Sequence, residues 1–163
     1  MKMNLIEEIA GELCKILLPI EEKIFFGNSK SSIALCTLSN IRLLREIASS
    51  SLMKKISVAG RLLSENKGID SLVRYVISNT KIDTIILCGE DTVGHRPGHS
   101  LVCLYKNGVG EDGKIIASQS PQPVVSLTKQ EVTRFQNQVK IVDKIGEIRI
   151  SKLQAIIETK NQV

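Results

Sequence analysis

The sequence predicts an α/β protein, Rossmann-like, with a mainly parallel sheet flanked by helices. From Ser32 onward, short apolar runs of strand length alternate with segments of helical periodicity, the pattern of βαβ units. Hydrophobic residues make up 42% of the chain and aromatic residues only 3%, with no tryptophan. The core is therefore aliphatic, which suits strands buried on both faces better than an aromatic-rich sandwich. A length of 163 residues fits one domain whose core needs no disulfide or metal to hold it.

Leu5, Ile6, Ile9, Leu13, Ile16 and Leu17 recur at helical spacing, and Pro19 closes that segment. Ser32 to Leu38 is too uniformly apolar for a half-exposed strand and reads as a buried one, and Ile56 to Gly60 as a second, short strand. Residues 39–55 between them, through Ser49-Ser50-Ser51, read as partly loop. Ile69, Leu72, Val73, Val76 and Ile77 share one helix face, with Asp70 in the first turn where the helix dipole favours an anion. Thr84 to Leu87 is the next buried strand. Leu101, Leu104 and Tyr105 mark a helix that Asn107-Gly108 terminates. Lys114 to Ala117 reads as a further strand leading into Ser118-Gln119-Ser120-Pro121-Gln122-Pro123. Thr128 and Glu131 form a capping box before Val132, Phe135, Val139 and Val142, and a last helix runs from about Ser151 to Thr159.

Composition narrows the function classes. Cys14, Cys36, Cys88 and Cys103 are scattered without a C-x-x-C pair, so a disulfide framework is not expected and a cytoplasmic location is the simplest. Glu7, Glu8 and Glu12 interrupt the first apolar pattern, which argues against a signal peptide. No apolar stretch approaches the ~20 residues needed to span a bilayer, so no membrane insertion is expected. The net charge of +5 is dispersed and aromatic stacking platforms are scarce, so nucleic acid is not expected as a partner. There is no Walker loop, no G-x-G-x-x-G after a strand and no G-x-S-x-G elbow.

Chemistry concentrates in Leu87 to His99, which holds both histidines of the chain, His95 and His99, and follows directly on an apolar strand. In open α/β sheets, ligands bind in the crevice beyond the carboxyl ends of the strands. Gly94 and Gly98 flank His95 and permit close backbone approach. Three readings of His95 stay open on residues alone. It can be a histidine hydrogen-bonded at a helix start. It can join His99 at i,i+4 spacing in a zinc site helped by Cys88, Glu90 and Asp91, although Pro97-Gly98 between them disfavours a regular helix through both. Or it can be an axial ligand to a corrinoid cobalt, since His95-Arg96-Pro97-Gly98 preserves the H-x-x-G part of D-x-H-x-x-G, with Val93 in the carboxylate position.

From Gly27 to about Ile148 the chain resembles the MtrA family, the corrinoid-binding component of the tetrahydromethanopterin S-methyltransferase of methanogenic archaea. The matching stretches are Ile33-Ala34-Leu35-Cys36-Thr37-Leu38, Glu65-Asn66-Lys67-Gly68-Ile69, Ile85-Ile86-Leu87-Cys88-Gly89, Gly94-His95-x-x-Gly98, Leu104-x-x-Asn107-Gly108-Val109 and Arg134-Phe135-Gln136-x-Gln138-x-x-Ile141-Val142-Asp143. The resemblance implies one domain over 1–163, with a helical extension at 1–26, a family-like core at 27–148 and a C-terminal helix at 149–163. It implies a cobamide such as cobalamin, with His95 as lower axial ligand to cobalt and Glu65 as the carboxylate behind the imidazole, Asp91 being the fallback. Gly94, Arg96, Pro97, Gly98, Gln119, Ser120 and Pro121 are then expected to line the cofactor. The implied function is a methyl carrier between methyl-tetrahydromethanopterin, or a similar donor, and a thiol such as coenzyme M, with a pterin-dependent methyltransferase subunit as partner. The alternatives are a binding or assembly subunit without cobalt and a zinc-dependent hydrolase. The chain departs from the family in ending at Val163 without a transmembrane helix, in His99 where the family has Gln, and in Ser118 to Pro123 in place of a Gly-Ala-rich segment. A homologue without membrane anchor, acting as one component rather than a complete enzyme, is therefore expected.

Overall fold

A computed structural model describes residues 23–161, so the expected helix over 5–17 lies outside the described residues. Five strands, β1 (Phe25–Phe26), β2 (Ile33–Cys36), β3 (Val58–Gly60), β4 (Thr84–Leu87) and β5 (Lys140–Asp143), form one sheet in the order β1-β3-β2-β4-β5. All neighbours pair in parallel except β1, which runs antiparallel to β3 at the edge. Among the described residues five α-helices flank it: α1 (Ile41–Ala48), α2 (Lys67–Ser78), α3 (Pro97–Asn107), α4 (Lys129–Gln138) and α5 (Ile150–Asn161). The α/β fold with a mainly parallel sheet agrees with the sequence expectation.

The apolar runs are unbroken because both sheet faces are covered. Ala34, Cys36, Ile85 and Leu87 point to one layer, with Ile69, Val73 and Val76 of α2, Leu101 and Leu104 of α3 and Phe135 of α4. Ile33, Leu35, Ile86 and Cys88 point to the other, where Leu43, Leu44 and Ile47 of α1 meet Leu153 and Ile157 of α5. Among the described residues, no helix is long and apolar enough to cross a membrane.

Three expectations change. Residues 39–55 hold α1 and a short 3-10 turn, Ser51–Lys54, rather than loop. The Asn40 side chain accepts from Leu43 N and caps α1, and Leu43, Leu44 and Ile47 form its buried stripe. Lys114 to Ala117 joins no sheet and makes only isolated antiparallel bridges, Val109 with Ile115 and Lys114 with Val124. Ile115 is buried while Ile116 is exposed, and positive φ at Gly113 and Ala117 bends the chain on both sides. The helix expected to carry Val139 and Val142 stops at Gln138, and residues 140–143 become β5. Ile141 and Val142 pack against opposite layers, the period-two placement of a strand.

The order of the parallel strands places β3 on one side of β2 and β4 on the other. The winding reverses between β2 and β4, so their carboxyl ends open a crevice where such folds take ligands.

Candidate functional site

The crevice is built from the loops after β2, β3 and β4. Beyond Leu87 the chain passes through Gly89, whose φ of 73° is left-handed, to Asp91. The Asp91 carboxylate accepts from Gly98 N and His99 N, both at 2.9 Å, and so fills the orphan amides at the start of α3. Pro97 occupies the first turn of α3, where its missing N–H costs nothing. Gly98 lets that turn reach the Leu38 side chain after β2, because a Cβ there would stand 2.9 Å from both Leu38 methyl groups. His95 therefore precedes the helix, on a turn fastened at Asp91 and at Arg96 N, which donates to Thr92 O at 2.9 Å.

The His95 ring is held on one side only. Its Nδ1 lies 3.1 and 3.2 Å from Glu65 Oε1 and Oε2. The Glu65 side chain is 2% exposed and that of His95 61%. Nε2 has no hydrogen-bond partner among the described residues, and most of the ring stands in solvent at the carboxyl edge of the sheet. Burial pushes the Glu65 carboxyl up, but hydrogen bonds from its own backbone amide, from His95 and from Gln122 N outweigh that and hold it below the usual carboxylate range. An ionised Glu65 accepts from Nδ1–H, which leaves the Nε2 lone pair free to bind a Lewis acid.

A second loop supports this pair. Gln122 N donates to Glu65 Oε1 at 3.3 Å, and the segment carrying it is fastened to α3 by hydroxyls. The fully buried Ser100 bonds Ser118 Oγ at 2.8 Å and Ser120 Oγ at 2.6 Å, and Ser120 Oγ also reaches Arg96 O. Arg96, in left-handed conformation at φ 47°, donates from Nη1 to Gln119 Oε1 at 2.9 Å. Ser100→Ala is expected to cost ~1–3 kcal/mol, since the Ser118 and Ser120 hydroxyls each lose a partner. Equilibrium urea unfolding measures it, and a loss near zero would mean that the hydroxyl cluster does not hold the loop.

The structure thus brings Glu65, His95 and Arg96 together with the loop over 118–122, and places Asp91 as the helix cap rather than beside the imidazole. Ser120 is turned inward, whereas Gln119 and Pro121 lie toward the surface and Gly94 borders open space. His99 points elsewhere, its Nε2 accepting from Gln119 N at 3.3 Å with Cys103 Sγ at 3.6 Å. Cys88 is buried, its Sγ donating to Cys36 O, and Glu90 accepts from Asn40. No group of three or more His, Cys, Asp or Glu able to hold a metal ion forms among the described residues, so the residues considered for zinc do not converge. Ser100, Ser118 and Gln122 escape sequence reasoning because no local pattern marks contacts made across 18, 20 and 57 residues.

The donor set suits a corrinoid, which needs one outward nitrogen and an open approach. His95 Nε2 supplies the nitrogen. Around it the surface is open, with Val93 95% exposed and Gly94, Arg96, Gln119 and Pro121 at the rim.

The profile of the family MtrA, described as the A component of tetrahydromethanopterin S-methyltransferase, matches residues 18–162. The chain is 35% identical over 139 residues to a protein of Methanosarcina barkeri provisionally named as the A component of a methyltransferase Mtx, covering 83% of this chain and 66% of that one. It is 36% identical over 135 residues to the A component of the tetrahydromethanopterin S-methyltransferase of Methanocaldococcus jannaschii, covering 81% and 54%. To the component of the same name from Methanosphaera stadtmanae it is 38% identical over 104 residues, covering 63% and 42%. The chain spans about half to two thirds of the length of the curated relatives it matches most fully.

Proposed function

The chain belongs to the MtrA family of tetrahydromethanopterin S-methyltransferase components, and from that premise we propose that it carries a corrinoid with His95 Nε2 as the nitrogen ligand to cobalt. The supporting observation is a histidine anchored at Nδ1 by a buried carboxylate, with no partner at Nε2 among the described residues. When bound, a corrinoid supplies a metal centre that takes up a methyl group at one partner's site and yields it at another.

The protein's own part is to hold and tune. Glu65 fixes the tautomer that offers Nε2. Gln122 N and the own amide of Glu65 keep that carboxylate ionised despite its burial. Asp91 holds the turn on α3, and Gly94 gives that turn its left-handed φ of 84°. The donor is methyl-tetrahydromethanopterin or a similar methyl pterin, the acceptor a thiol such as coenzyme M, and the partner a pterin-dependent methyltransferase subunit. A carrier of this kind has no sustained turnover alone, because none of the described site residues is set to activate a pterin or a thiol.

The test is reconstitution of the apoprotein with cobalamin, followed by electron paramagnetic resonance of the cobalt(II) form in protein carrying nitrogen-15 histidine. Coupling to one protein nitrogen is expected, lost in His95→Ala and kept in His99→Ala. Coupling from His99, or a protein that stays colourless with excess cobalamin, overturns the assignment; the colourless outcome indicates a binding or assembly subunit.

A further inference from the structure

A cavity of about 420 Å³ lies between α2 and the sheet, beside the crevice. Small residues create it. Toward α2, β2 presents Ala34 and Cys36 and β3 presents Val58 and Gly60, whereas the other face of β2 carries Ile33 and Leu35. A Cβ on Gly60 would come no nearer than 3.7 Å to another side chain, Ile24 Cγ1. The interior is apolar, closed by Leu72, Val76 and Ile85, and neither His95 nor Glu65 lines it.

Among the described residues, two cations on its wall, Arg61 and Lys67, meet no carboxylate. Arg61 lines the cavity and donates from Nη2 to Ser39 O at 2.7 Å. Its Nε is shut off from solvent with no acceptor, and among the described residues no carboxylate pairs with it. Lys67, also on the wall, is exposed and pairs with none of them either. A guanidinium beside an apolar cavity with no carboxylate partner is costly to leave unpaired, and an anion is its natural complement. An apolar cavity of this size with a few polar groups has the make-up of a small-molecule site.

We propose that this cavity binds a small amphiphilic anion. Its aromatic or branched aliphatic body sits between α2 and the sheet, and one sulfonate, carboxylate or phosphate group meets Arg61 and Lys67. The site is separate from the corrinoid reading and does not depend on it.

The probe is 8-anilinonaphthalene-1-sulfonate, titrated by fluorescence into the full-length protein, with neutral N-phenyl-1-naphthylamine as the uncharged comparison. One saturable site is expected. Arg61→Met should weaken the sulfonate about tenfold or more, the loss of a charge-assisted hydrogen bond, while leaving the neutral probe within about twofold. Gly60→Leu should weaken both probes by filling the space, and His95→Ala should change neither. Equal weakening of both probes by Arg61→Met, binding insensitive to both Arg61→Met and Gly60→Leu, or no binding because the chain itself fills the space would each overturn the proposal. Loss of binding in His95→Ala would do so as well, by placing the probe at the histidine crevice.

Discussion

Gly89→Ala is expected to destabilise the protein by ~3–5 kcal/mol, the sum of backbone strain and steric overlap. Gly89 ends the run from β4 with φ at 73°, and a Cβ there would stand 2.3 Å from Thr37 O and 3.0 Å from Asn40 Cβ. Neither neighbour can yield cheaply. Thr37 continues β2, and Asn40 caps α1. The residue also stitches the crevice together, since Gly89 N donates to Glu147 O, Gly146 N donates to Gly89 O, and Ser39 N donates to the next carbonyl, Glu90 O. Gly94→Ala is the comparison: its φ of 84° is equally left-handed, but nothing lies within 4 Å of the added Cβ. That change should cost only ~1 kcal/mol. Guanidinium unfolding of both variants separates the two costs. A Gly89→Ala midpoint as high as that of Gly94→Ala would mean that the loops around β4 shift freely.

That contrast bears on what a sequence reveals. Both glycines read alike as residues near a strand end, yet only the fold distinguishes the one against a carbonyl from the one facing open space. The buried strands were legible because coverage on both faces leaves an unbroken apolar run, as in Thr84 to Leu87. The Thr128 capping box was legible because both of its hydrogen bonds are local. The first strand of a single edge pair, Phe25–Phe26, was not, because two residues carry no period. The strand β5 was misread because Val139 and Val142 also satisfy helical spacing, and pairing with β4 decided the outcome. For α1 the signal was present, an Asn40 cap before Ile41, Leu43, Leu44 and Ile47, but the serines after it suggested a loop. In the site, His95 stood out through its glycines and its place after a strand. The hydroxyl ladder of Ser100, Ser118 and Ser120 gave no sign, because its members meet only once α3 and the loop after Ala117 have packed.

On the ligation proposed for His95, Glu65→Gln is expected to lower corrinoid affinity 10–100-fold, as losses behind a metal-bound histidine typically do. The amide nearly matches the carboxylate in size, so it keeps the packing of a side chain that is 2% exposed. What changes is charge. A neutral oxygen accepts more weakly from Nδ1–H, and the amide NH₂, if turned toward Nδ1, donates to an unprotonated Nδ1 and so favours the tautomer whose proton blocks Nε2. Glu65→Ala goes further and leaves Gln122 N without its acceptor, at a cost of ~1–3 kcal/mol in stability. The pair of variants separates positioning from mere support. If Glu65 tunes His95, Glu65→Gln changes the cobalt(II) resonance and the cobalamin affinity while thermal stability stays close to wild type. If it only fills space, Glu65→Gln leaves the resonance and the affinity unchanged, and only Glu65→Ala has an effect, on stability. Nitrogen-15 shifts of the His95 ring in the apoprotein read the same distinction without cofactor. Wild type should show the proton on Nδ1, and Glu65→Gln should show a mixture of the two tautomers. An unchanged ring spectrum in Glu65→Gln would remove the carboxylate from any role in presenting Nε2.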